Sequence, residues 1–169
     1  MTCFFYCFVS KYITQHIAHT YPRHLSKTHL IYRGIDSNKY RAISTNEKTE
    51  KLRQQWQIPA NKTIIMLPGR LTRLKGHSTL IEALARLKNS DFYCLFVGDE
   101  PGKDHYRAEL ENLIKQHSLE EKIKLVGNCD DMHSAYQLAD IVVSEATKPE
   151  SFGRTACEAQ AMRTLVVAT

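Results

Sequence analysis

The sequence predicts an α/β fold, a doubly wound parallel sheet of Rossmann type, and three observations carry that expectation. From Lys62 onward, short apolar runs alternate strictly with segments whose apolar residues recur at helical spacing. The runs are mostly apolar, as in parallel strands covered on both faces. Every candidate motif follows one of these runs, at the sheet edge where such folds take their ligands.

Taken in order, Phe4 to Val9 reads as a short buried strand, and Ser10 is placed to cap a helix carrying Ile13 and Ile17 until Pro22 stops it. Leu30-Ile31-Tyr32 is a second apolar piece. It runs into Arg33-Gly34-Ile35-Asp36, where Gly34 offers the freedom for a sharp turn. Residues 1–36 are therefore set apart from the regular pattern, and 37–61 read as a linker with a short helix ending near Trp56. Residues 62–169 hold the alternating unit. Its strands are expected at Thr63–Leu67, Phe92–Val97, Ile123–Val126, Ile141–Val143 and Leu165–Ala168. Between them, Leu80, Ile81, Leu84 and Leu87 share one helix face, and Tyr106, Leu110, Leu113, Ile114 and His117 form the stripe of the next. Asp130 or Asp131 can cap the helix bearing Met132, Tyr136 and Ala139.

At 169 residues the chain is long enough for one well-formed core. Its 23 Lys and Arg against 18 Asp and Glu leave +5, which suits an anionic ligand or a weak peripheral contact with an acidic membrane surface. The basic residues are dispersed, so no nucleic-acid partner is expected. Five cysteines without paired spacing read as reduced thiols of a cytoplasmic protein, and neither a signal peptide nor a membrane span is expected. Eight scattered histidines give no metal-binding pattern, so no metal is expected.

Three loops carry the chemistry. After the first regular strand, Gly69-Arg70-Leu71-Thr72-Arg73-Leu74-Lys75-Gly76 offers two cations beside a helix start, as a diphosphate requires when its charge grows during bond cleavage. A solvated basic turn is the other reading of the same residues. Gly98 to Gly102 reads as a structural turn, and Gly127 to Asp131 as either a nucleobase contact or a helix cap. After the fourth strand, Glu150, the Ser151-Phe152-Gly153 turn and Glu158 place two carboxylates roughly 9 Å apart along a helix that opens near Phe152. The free N–H groups of that helix favour an anion or ligand hydroxyls. Thr155-Ala156-Cys157-Glu158 also fits a capping box, in which Thr155 and Glu158 only satisfy backbone groups.

The stretches GRLTRLKG (69–76), VGDEPGKDHY (97–106), KLVGNCDDM (124–132), Ala139 to Val143 and PESFGRTACEAQAM (149–162) together resemble the C-terminal, donor-binding domain of family 4 glycosyltransferases of GT-B architecture. The likeness is greatest to bacterial enzymes of surface-polysaccharide and lipopolysaccharide synthesis. It implies that Gly69, Arg70 and Lys75 hold a donor diphosphate, with Arg70, Lys75 and Glu150 the catalytic set and Glu150 on the transferred sugar. Phe152 and Gly153 would offer backbone N–H groups, Glu158 would bind the ribose, and Cys129 and Asp131 would lie near the base. The substrates implied are a nucleotide-sugar donor and a saccharide or lipid-linked acceptor, with retention, no cofactor or metal, and a site at the inner face of the membrane.

Against that pattern the chain reads as truncated at both ends. Only the last strand, helix and crossover of an acceptor domain precede the donor domain, so a separate chain or the missing domain would supply the acceptor site. Arg163 and Leu165 stand where the family usually has Gly and Pro. The expectation is thus a hexosyltransferase or a fragment of one, with a non-catalytic nucleotide-binding module or an inactive truncated product as the alternative.

Overall fold

The computed structural model describes residues 5–41, 47–99, 102, 105–148 and 150–169. Two parallel sheets are present. The smaller pairs β1 (Tyr6–Phe8) with β2 (Thr28–Leu30) through α1 (Lys11–Thr20), and Ile31 extends the ladder by donating its N–H to Phe8. Ser10 caps α1 as expected, accepting from the Ile13 N–H. The buried strand expected over Phe4–Val9 is a correction: Phe4 lies outside the described residues, and Tyr6 and Cys7 are exposed. A single partner strand and a helix that buries none of its own residues cannot cover it.

The turn expected at Gly34 forms further on. Gly34 has no positive φ and open space around it, whereas Asp36 folds the chain by accepting the N–H groups of Asn38 and Lys39 on Oδ1. Tyr40 then meets Tyr136 edge-on at 6.0 Å, and α2 (Glu47–Gln55) follows. The short helix expected to end near Trp56 is present, and Leu52, Trp56 and Ile58 join the core beneath the larger sheet, while residues 42–46 of the stretch read as a linker lie outside the described residues.

That sheet has five parallel strands in the order β5-β4-β3-β6-β7: β3 (Thr63–Pro68), β4 (Phe92–Val97), β5 (Ile123–Gly127), β6 (Ile141–Ser144) and β7 (Leu165–Ala168). Helices α3 (His77–Arg86), α4 (His105–Gln116), α5 (Met132–Leu138) and α6 (Arg154–Ala161) alternate with them. Successive strand residues point to opposite faces and enter two separate cores, Met66, Leu95 and Val142 on one side and Leu67, Phe96 and Val143 on the other. This double coverage is the reason for the continuous apolar strands, β4 being buried at all six positions. Leu87, expected on the buried face of α3, follows its last turn and is 53% exposed.

The strand order reverses between β3 and β6, which pair through Ile65↔Ile141 and Met66↔Val142. Their carboxyl ends are therefore neighbours, and the loops that leave them flank one crevice.

α6 ends in a Schellman arrangement, Thr164 N–H to the Ala159 carbonyl and Arg163 N–H to that of Gln160, with Arg163 at φ 63. An arginine there keeps the turn that glycine usually makes, at a conformational cost of about 1–2 kcal/mol. Arg163→Gly is expected to raise unfolding stability by up to about 1 kcal/mol, the unfolded-chain entropy of glycine offsetting part of the relief. Urea denaturation of the two proteins measures the difference, and a less stable variant contradicts this account of the turn.

Candidate active site

At the switch point lies a cleft of about 500 Å³ walled by the loops after β3 and β6 and the first turn of α6. A short 3-10 turn, Arg73–Lys75, ends at Gly76, whose φ of 64 starts α3. A Cβ on Gly76 would stand 2.6 Å from the Glu145 side chain, so the two loops are in close contact there. Thr147 ties them again, its N–H to the Leu74 carbonyl and its hydroxyl to that of Arg73.

Of the residues singled out in the sequence, Gly69, Arg70, Lys75, Glu150, Phe152 and Gly153 all line this cleft. Lys75 Nζ forms an ion pair with Glu150 Oε1, both side chains about a quarter exposed. Burial, and after it the Arg70 guanidinium, pushes the Lys75 ammonium below the usual lysine range. Gly153, at φ 70, caps α6 without a side chain, so the first N–H groups of that helix are left to the cleft. The helix opens at Arg154, two residues later than expected.

Glu158 does not line the cleft. It is 5% exposed, accepting the Tyr136 hydroxyl on Oε2 at 2.9 Å and forming an ion pair with Arg154, whose Nε lies 3.3 Å from Oε1. The capping box is a correction too, because Thr155 is the second residue inside α6 and Glu158 is bonded to side chains. Its partner Arg154 reaches the cleft wall. Cys129 and Asp131 also lie off the cleft. Cys129 packs partly against the core, and burial raises its thiol pKa. Asp131 caps α5. Burial pushes its carboxyl up, but the two hydrogen bonds from Ser134 outweigh this and hold it below the usual range. Asp99 is a structural tie: its carbonyl accepts Leu71 N–H and its Oδ2 accepts Asn128 N–H, joining the loops after β3, β4 and β5. Glu100 and Pro101 lie outside the described residues.

Sequence reasoning missed Arg33, Lys148 and Arg154 as cleft residues. The position of Arg154 four residues before Glu158 was a usable signal. Arg33 arrives through tertiary packing and leaves none in its own segment. Among the described residues, no group of three His, Cys, Asp or Glu is placed to hold a metal, and no helix is long and apolar enough to cross a membrane.

Three similarities bear on this geometry. A glycosyltransferase from Rickettsia africae ESF-5 superimposes with a TM-score of 0.90 at 39% identity, over 96% of this chain and 43% of that one. HepE of Anabaena, solved in complex with UDP and glucose, gives 0.86 at 31% identity over 97% of this chain and 44% of its own. D-inositol 3-phosphate glycosyltransferase of Corynebacterium urealyticum is 32% identical over 156 residues, 88% of this chain and 36% of that protein. The fold is thus that of a Rossmann-like half of the GT-B architecture. The profile of the family described as Glycosyl transferases group 1 matches residues 48–169, and the chain belongs to that family.

His77, the first residue of α3, is fully buried against Phe96 and Tyr106 with neither ring nitrogen hydrogen-bonded. Burial lowers its pKa from 6.5 to about 4; the Thr72 backbone works the other way, and the Lys75 charge adds to the lowering. Below pH 6.5 the unfolded chain takes up a proton that the folded one refuses until about pH 4, so stability falls across that window as pH drops. Between pH 7 and 5 the wild type is expected to lose about 2 kcal/mol more than His77→Leu. Denaturant titrations at both pH values read this, and equal losses would assign no such role to His77.

Proposed function

We propose that this chain is the donor-binding part of a glycosyltransferase that moves a sugar from a nucleotide-sugar to a saccharide or lipid-linked acceptor. The observation that carries the reading is the convergence of Arg70, Lys75, Glu150 and the open start of α6 on one cleft at the strand-order reversal. In this reading Arg70 and Lys75 neutralise the diphosphate. Their charges are fixed before the reaction, so they stabilise the leaving group as the bond to the sugar breaks, without solvent reorganisation and without a bound metal. Glu150 accepts hydroxyl hydrogen bonds from the transferred sugar, and the Phe152 and Gly153 N–H groups meet sugar or phosphate oxygens. Glu158 is assigned to the ribose in this reading; Tyr136, Arg154 and Tyr40 already face its carboxylate, so a ribose hydroxyl reaches it by displacing one of them. Cys129 and Asp131 are assigned to the neighbourhood of the base. HepE, crystallised with UDP and glucose, supports a donor of this class.

We further infer transfer with retention, a role in surface-polysaccharide or lipopolysaccharide synthesis, and action in the cytoplasm at the inner membrane face, the acceptor site being supplied by a further domain or a separate chain. The chain spans 36% of the length of the Corynebacterium urealyticum relative. Donor hydrolysis or transfer separates this reading from that of a nucleotide-binding module without turnover.

Arg70→Ala and Lys75→Ala are each expected to weaken UDP binding by about 1–3 kcal/mol, the range for losing a charge-assisted hydrogen bond. Calorimetric titration measures it, and unchanged affinity in both variants would remove the diphosphate from this cleft. Glu150→Gln is expected to act differently, because it frees Lys75 from its counter-charge. UDP alone should bind this variant at least as tightly as wild type, while UDP-glucose loses its advantage over UDP. A parallel loss of both ligands contradicts the sugar role of Glu150.

A further inference from the structure

The cleft is more positive than a donor diphosphate needs. Five cationic side chains line it, Arg33, Arg70, Lys75, Lys148 and Arg154, against the single carboxylate of Glu150. Arg154 is matched by Glu158, outside the wall. In the donor-binding reading, on which this inference rests, Arg70 and Lys75 meet the one negative charge on each phosphate of a diphosphate diester. Arg33 and Lys148 then remain, both exposed and without a carboxylate partner among the described residues, with only Glu150 to set against the two. One further acidic group brings the cleft to neutrality.

The origin of these two cations argues against an incidental basic surface. Arg33 comes from the crossover after β2 and Lys148 from the loop after β6, more than a hundred positions away, yet both reach the cavity that holds Lys75 and Glu150. Like charges gathered in a concave, partly desolvated site repel one another and focus a positive field on whatever enters. A guanidinium and an ammonium together suit an oxyanion, the first as a planar fork and the second as a mobile point charge.

We propose that Arg33 and Lys148 form a subsite for a phosphate or carboxylate group carried by the transferred sugar or by the acceptor. The substrate class is thereby narrowed to one in which an acidic sugar or a phosphorylated acceptor meets the donor diphosphate. A rival assignment spends both cations on the diphosphate, whose charge grows once the glycosyl bond has broken.

Calorimetry on the full chain with wild type, Arg33→Gln and Lys148→Gln separates these. One arm compares UDP-glucuronate with UDP-glucose. The other compares glucose 6-phosphate with glucose in saturating UDP. The wild type is expected to prefer the acidic ligand by about tenfold or more in one arm, the scale of one charge-assisted hydrogen bond, and less so at high salt. Whichever arm shows the preference identifies the source of the acid. Both variants should lose most of it while binding UDP within about twofold of wild type. No preference in either arm overturns the subsite. So does a preference that survives in both variants, or a loss of UDP affinity equal to the loss of preference, which would return Arg33 and Lys148 to the diphosphate. If UDP does not bind the wild type, the donor site itself is wrong and the subsite falls with it.

Discussion

The pairing of β3 with β6 is the contact on which the site depends. Parallel strands all end on the same edge of their sheet, so the chain can bring two distant loops together only by choosing which strands are neighbours. Here the short register of Ile65 and Met66 against Ile141 and Val142 puts residues 69–76 beside residues 145–148 and 150–155. Thr147 and the Gly76–Glu145 contact then hold the two loops together. Gly98 tightens the same edge from the other side. A Cβ there would lie 2.1 Å from the Gly69 carbonyl oxygen, which explains a glycine at the end of β4. The cation-bearing loop is thus pinned on both flanks, by the Glu145 side chain and Thr147 on one and by the backbone at Gly98 on the other, each glycine standing where a Cβ would collide.

The charges within that frame serve preorganisation more than stability. An ion pair as exposed as Lys75–Glu150 contributes at most about 1 kcal/mol to folding. What it does is keep an ammonium and a carboxylate at fixed positions in a partly desolvated cleft, each the other's partner until a ligand enters. Arg154 has the same character. A cation in the first turn of α6 opposes the helix dipole, and Glu158 one turn later compensates it. The guanidinium is held at the cleft wall by an acid that is itself almost fully buried.

The parallel sheet was legible because its physics is local: the central strands β3, β4 and β6 have a core on each face and are apolar nearly throughout, the edge strands β5 and β7 are less covered, and all five fall within a residue of their expected ends. The loops that meet at the cleft were legible for a related reason, since in such a fold every strand-end loop faces the same edge. What the sequence hid depended on partners in space. Thr155 and Glu158 matched a capping pattern that the helix does not use, because Gly153 already turns the chain and Tyr136 and Arg154 occupy the carboxylate. The strand around Tyr6 looked buried because its residues are apolar, yet apolarity states only a demand for cover. The short helix before β3 is polar in composition, yet Leu52 and Trp56 stand at helical spacing, enough to enter the core. Arg163 shows the reverse case: the turn persists with the wrong residue because the Schellman bonds and the β6–β7 pairing over-determine it.

Glu158 links these observations. Tyr136 of α5 donates to it, Arg154 pairs with it, and Tyr40 faces it closely enough that, after burial, the carboxylate's charge raises the tyrosine's pKa. Tyr40 belongs to the crossover that also carries Arg33, and Arg41 is fixed nearby through its carbonyl to His133. One buried acid therefore anchors the crossover, the core helix α5 and the cationic first turn of α6 at a single point. A carboxylate placed this way governs the cleft without lining it: it sets where Arg154 stands directly and, through Tyr40, the path by which Arg33 arrives. Glu158 thus bears on the shape and charge of the cleft from behind its wall.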